Sequence, residues 1–228
     1  MKWTRRDLLI GLGGLPILGA VWWAGAATSV GSRKKRSEIL EQLNIKPSMP
    51  PAVPGIGGDP VRIGVIGFGI RGEQLTRALG FATDEWKEEM RLAAIEDPNN
   101  KRLADFESQE RLNVKLVGIC DIFDVRAETF INSFSTADHK IKRYKTYKEM
   151  IQSGEVDAVV IATPDHWHAP MSIEALNNNV HVYVEKPMTH TVGETYTLRE
   201  AAENSDAVFA VGHQHRQTLS FGTARDIV

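Results

Sequence analysis

The chain has a single cysteine, Cys120, so no internal disulfide can hold it together. With no second thiol and no evident base beside it, Cys120 on a predicted strand reads as a small buried hydrophobe. A charge excess of either sign is also missing, since 27 Lys and Arg against 29 Asp and Glu leave a formal net charge of -2. That removes general attraction to nucleic acid or an anionic membrane surface and leaves a small molecule as the expected partner. No internal repeat recurs. Once a non-globular N-terminal stretch is set aside, roughly 170 of the 228 residues remain, enough for one ordinary domain and not for a second.

What is present begins with an address. Lys2, Arg5 and Arg6 precede an uncharged run from Leu8 to Ala27 that ends in small residues, the layout of an export signal. The segment Thr4-Arg5-Arg6-Asp7-Leu8-Leu9 resembles a twin-arginine signal, with a cut expected near Ala24-Gly25-Ala26 and a periplasmic destination. The same run is long enough to span a bilayer, and Trp22 and Trp23 suit an interface. A retained anchor over residues 8–27, with the folded part facing the periplasm, is therefore the alternative. The basic cluster Arg33 to Arg36 blurs the orientation rule. Residues 28–60 read as a tether, because Pro47 to Pro60 holds five prolines and three glycines and cannot form a helix or interior strand.

From Val61 onward, short apolar runs alternate with helical patterns, which predicts an α/β fold with a doubly wound parallel sheet over residues 61–215. The strand candidates are Val61 to Ile66, Lys115 to Cys120, Val156 to Ala162, Val180 to Val184 and Ala207 to Val211, with a short extra strand near Ile141 to Tyr144. Their continuous apolar character implies cover on both faces. Helices are expected over Val125 to Ser133, Tyr147 to Gln152, Ala169 to Asn177 and Gly193 to Glu203. Phe81 to Asn113 is an acidic insertion, read as an extension of the first helix plus a surface helix with Trp86, Met90, Leu92 and Ile95 on its apolar face. An oligomer contact there is the sharper alternative.

The first strand runs directly into Gly67-Phe68-Gly69-Ile70-Arg71-Gly72, and a helix pattern follows. In that context GxGxxG is a dinucleotide loop: Gly67 permits the tight turn, Gly69 lets a pyrophosphate approach, and Gly72 allows close helix packing. The helix N-terminus supplies N–H groups and a positive dipole end for phosphate. Asp121 ends the next strand, where a carboxylate accepts ribose hydroxyls and repels a 2'-phosphate, favouring NAD over NADP. The insertion lengthens the usual gap between loop and acid. Strand order preserves the geometry.

Two more motifs fall on the same carboxyl rim, Ala162-Thr163-Pro164-Asp165-His166-Trp167-His168-Ala169 and Val182-Tyr183-Val184-Glu185-Lys186-Pro187. Together with the glycine loop they resemble the glucose-fructose oxidoreductase, inositol dehydrogenase and rhizopine-catabolism family, Gfo/Idh/MocA, from Val61 to the C-terminus. The resemblance implies that Lys186 orients the reacting hydroxyl and assists proton movement. It also implies that Pro187 fixes the direction of Lys186, that Thr163, Pro164 and His168 line the nicotinamide ribose pocket, and that Glu185 holds the loop. The implied activity is hydride transfer between a nicotinamide cofactor and a carbinol carbon of a sugar, cyclitol or sugar derivative. A glycoside hydrolase branch of the same family, working by transient oxidation, often departs from EKP at the lysine, so Lys186 leans away from it.

His166 with His168 and His213 with His215 form two HxH pairs, which lack acidic or thiol company and read as pocket or packing residues rather than a metal site. Arg216 is a further candidate for substrate or cofactor contact. The family continues into a second α+β substrate domain that carries an acid and a base, and residues 216–228 are expected to be its start, largely absent from this chain. A fragment of that kind is expected to be inactive alone, and the full-length form to be a homo-oligomer. The reading from another class is a noncatalytic dinucleotide-binding module.

Overall fold

The computed structural model describes residues 58–214. The signal or anchor of residues 1–27, most of the tether, His215 and residues 216–228 lie outside the described residues.

Six strands form one sheet: β1 Val61–Ile66, β2 Val114–Cys120, β3 Lys142–Arg143, β4 Ala158–Ile161, β5 His181–Glu185 and β6 Phe209–Gly212. Every pairing is parallel and the order is β3-β2-β1-β4-β5-β6. The chain therefore winds outward from β1 to β3, then crosses back and builds the other half from β4. The expected doubly wound fold is present, and its switch point lies between β1 and β4, where a crevice opens at the carboxyl ends of the strands.

Among the described residues seven α-helices connect the strands: α1 Ile70–Ala78, α2 Asp84–Glu96, α3 Arg102–Ser108, α4 Asp124–Phe134, α5 Tyr147–Ile151, α6 His168–Asn177 and α7 Val192–Glu203. Among the described residues no helix is long and apolar enough to cross a membrane. Strand residues alternate between two cores. Ile63, Val65, Leu116 and Ile119 pack with Leu75 of α1 and Ala127 and Phe130 of α4. Ile66, Val159, Ile161 and Val184 pack with Met150, Leu176 and Leu198 of α5, α6 and α7. Cover on both faces is why the strands read as unbroken apolar runs. The β1–β2 register slips between Ile63 and Gly64 and sets Gly64 opposite Gly118. Their missing side chains leave the hollow that Met150 and Tyr144 fill.

The insertion differs from expectation. Helix α1 ends at Ala78, and Gly80 turns the chain at φ +97°, so α2 and α3 are separate helices rather than an extension. Met90 is buried, and Trp86, one turn earlier, meets Phe106 of α3 edge-on while Arg77 of α1 lies over its ring. Leu92 and Ile95 are 55% and 74% exposed. At 100° per residue, steps of two and five from Met90 carry them to the opposite side of the helix.

Candidate functional site

Four loops meet at the carboxyl rim, after β1, β2, β4 and β5. In the first, Gly67 has φ +88°, and a Cβ there would lie 2.8 Å from the Ala162 carbonyl oxygen. A Cβ on Gly72 would collide with the Gly67 carbonyl. The protein itself demands glycine at both positions. Gly69 is different: φ -83° and ψ -167° are open to any residue, and the nearest atom to an added Cβ is the Arg126 guanidinium, at 3.4 Å. Nothing in the described fold requires the absence of a side chain there. The space it leaves adjoins the N-terminus of α1, which, like those of α3, α4 and α6, has no side-chain cap. An open loop beside uncapped N–H groups and a positive dipole end suits a phosphate from outside.

Phe68, within the loop, is buried. Its ring meets Phe130 and Phe134 edge-on in the core, and its N–H donates to Asp121 Oδ2 at 2.7 Å. Ile70 stands 82% exposed beside the loop. Asp121 is buried at the end of β2, and its Oδ1 accepts from the Phe123 N–H at 2.8 Å. The carboxylate thus anchors the glycine loop, and each oxygen keeps a lone pair for a ribose hydroxyl. It borders an apolar cavity of about 320 Å³, lined also by Ile122, Thr146, Tyr147, Pro164 and Trp167. Cys120 contributes to the same wall, its thiol pushed up to about 11 by burial and then by the adjacent Asp121 charge.

Across the switch point a more polar cavity of about 360 Å³ is lined by Arg71, Thr163, Asp165, Glu185, Lys186 and Pro187. Arg71 reaches from α1 to Glu185, Nε to Oε1 at 2.7 Å, and the buried Glu185 also accepts the Lys186 N–H through Oε2 at 3.3 Å. One carboxylate therefore ties the glycine-loop helix to the lysine loop. Lys186 is exposed in this cavity, and its ammonium has no carboxylate partner among the described residues. The Lys186–Pro187 peptide is cis.

His168 also lines this polar cavity. It is 2% exposed, with Nδ1 2.7 Å from the Pro187 carbonyl and Nε2 2.9 Å from the Thr163 carbonyl. In either tautomer one ring nitrogen donates to one of these two carbonyls, so the residue links the β4 and β5 loops while it lines the polar cavity. Sequence reading missed Tyr147 and Trp167, whose rings lie 6.2 Å apart at the apolar cavity, and Arg126 above the glycine loop. Trp167 sits inside a rim motif, which was a usable signal. Arg126 carries a cation in the first turn of α4, against the helix dipole, and that was another.

Residues 61–213 match the family described as Oxidoreductase family, NAD-binding Rossmann fold. A glycosyl hydrolase family 109 protein 2 from Shewanella sp. (strain ANA-3) is 34% identical over 154 residues, 64% of this chain and 26% of the relative. An inositol 2-dehydrogenase from Salmonella agona is 27% identical over 116 residues, 50% of this chain and 34% of the relative. The chain thus spans about a quarter to a third of the length of these relatives. The crystal structure of myo-inositol 2-dehydrogenase from Lactobacillus plantarum shares the fold with a TM-score of 0.54 and 24% identity, over 74% of this chain and 41% of that one.

Proposed function

Because the chain belongs to the Gfo/Idh/MocA oxidoreductase family, we propose that it binds NAD in preference to NADP and serves hydride transfer at a carbinol carbon of a sugar, cyclitol or sugar derivative. The observation that carries this reading is Gly69, a glycine the protein does not need, beside an uncapped helix N-terminus. The pyrophosphate is assigned to that helix end, the adenosine ribose to Asp121, and the adenine to the apolar cavity beneath Trp167 and Tyr147. The nicotinamide half and substrate then fall to the polar cavity around Lys186. When bound, the cofactor supplies the hydride acceptor or donor. In the reducing direction the Lys186 ammonium stabilises negative charge developing on the substrate oxygen and donates a proton to it, and in the oxidising direction the amine takes the hydroxyl proton as the hydride leaves, solvent restoring the starting form. Glu185, held by Arg71, directs the backbone that carries Lys186.

Calorimetry with NAD tests the premise, and absence of binding at millimolar NAD defeats it. In the full-length protein Lys186→Ala is expected to cut turnover strongly with NAD affinity nearly unchanged. Equal turnover refutes the role given to Lys186. A second reading, glycoside hydrolysis through transient oxidation, draws on the 34% identity to a glycosyl hydrolase family 109 protein. Release of a chromogenic aglycone without net NADH would establish it in place of the first.

Twin-arginine export and homo-oligomeric assembly complete the proposal. The Arg5-Arg6 pair before the run Leu8 to Ala27 supports export. Replacing both arginines by lysine is expected to retain a fused reporter in the cytoplasm, and unchanged export argues against that route. Sedimentation of the full-length protein checks the assembly.

A further inference from the structure

We propose that Arg126 is a second ligand for the pyrophosphate of the dinucleotide, reaching over the glycine loop from the neighbouring helix α4. This rests on the dinucleotide-binding reading and goes beyond it, because the phosphate contacts assigned so far are backbone N–H groups of the loop and α1. Apart from the neighbouring residues in the chain, Arg126 is the side chain that comes within 4 Å of the open side of Gly69 in the described fold: Nη1 lies 3.4 Å and Cζ 3.7 Å from where a Cβ on that residue would stand. Its guanidinium rests over the Phe123 ring, 4.7 Å from the centroid. A cation–π contact of that kind uses none of the N–H groups as a hydrogen-bond donor and leaves them free for an acceptor.

Nearby arginines are already committed. Arg71 pairs with Glu185, Arg77 with Glu73 and Arg143 with Asp124. Arg126 has no carboxylate or carbonyl acceptor among the described residues, although its position in the first turn of α4 sets it against the helix dipole. An external dianion offsets that placement and matches the planar fork of donors. The 2'-phosphate of NADP is the other source of the same chemistry. Buried Asp121 holds a negative charge where the adenosine 2'-oxygen is assigned, which repels that phosphate. The pyrophosphate, which approaches the backbone at Gly69, is the group within reach.

The test is calorimetric titration of the full-length protein and its Arg126→Met and Arg126→Lys variants with NAD, ADP-ribose and NADP. Thermal melts check folding, since an exposed arginine can be replaced with little change in stability. Arg126→Met is expected to weaken NAD and ADP-ribose together by roughly tenfold or more, with a shallower salt dependence, and Arg126→Lys to fall between. Loss confined to NADP assigns Arg126 to the 2'-phosphate and overturns the proposal. Unchanged affinity for every ligand in a wild type that binds NAD overturns the proposal alone. A wild type that binds none of them overturns the dinucleotide reading and this inference with it.

Discussion

Alanine substitutions at Gly69 and Gly72 separate what the fold requires from what a ligand requires. At Gly72 a Cβ collides with the Gly67 carbonyl, a backbone atom that can move only with the loop, so Gly72→Ala is expected to cost about 1–3 kcal/mol, the range for overpacking a filled site. At Gly69 the backbone lies in an extended region and the added methyl meets only the end of a flexible arginine at ordinary contact distance. Gly69→Ala should therefore leave stability within about 0.5 kcal/mol of wild type, or raise it by about 0.4–1 kcal/mol through reduced freedom of the unfolded chain. Its NAD affinity should nevertheless fall at least tenfold, about 1.4 kcal/mol, because the methyl occupies the approach of the pyrophosphate. Urea denaturation and calorimetry on both variants give the two numbers. The reasoning fails if Gly69→Ala is destabilised as much as Gly72→Ala, or if it binds NAD as wild type does.

His168→Leu removes the hydrogen bond the buried ring makes to the Thr163 or Pro187 carbonyl and is expected to cost about 1–3 kcal/mol in urea denaturation. A loss below half a kcal/mol would show that His168 is not a brace. Arg71→Met leaves the buried Glu185 without its cation and should cost about 1–2 kcal/mol, less than for a fully buried pair because Arg71 is 38% exposed. No change in the denaturation midpoint counts against the tie between the loops. The Arg62 guanidinium, hydrogen-bonded to Asp157, holds that carboxyl below its ordinary value. A depressed folded-state value gives stability that is present above the unfolded value, near ~3.9, and is lost as pH falls through the folded one. Asp157→Asn should flatten that acid arm, and an unaltered stability profile below pH 5 refutes the assignment, the pH limit being about the upper end of carboxyl titration. Cys120, 8% exposed with its thiol pushed up to about 11, should react with a thiol reagent at neutral pH only as the protein unfolds. Labelling of native protein at the rate of a free thiol would contradict its burial.

The strand and helix pattern was legible because its signals are short in range: unbroken β-rich runs for β1, β2, β4 and β5, and threonine caps before α5 and α7. The glycine loop and Asp121 were legible for the same reason, as each sits at the end of a readable strand. Leu92 and Ile95, expected on the apolar face of α2, lie on the side away from Met90, because steps of two and five residues do not return to one helix face. The rim motifs alone could not show that Phe68 packs in the phenylalanine cluster and bonds Asp121, or that His168, while lining the polar cavity, lies against carbonyls of two loops.

The sequence by itself determined the parallel sheet, the rim on which its motifs gather and the family those motifs resemble. Only the tertiary structure decided which groups on that rim are spent and which are free. Glu185 is taken by an arginine 114 positions away, whereas Gly69, Arg126 and Lys186 remain open. Local propensities act over a few residues, but whether a donor or acceptor is available depends on partners brought up from distant parts of the chain.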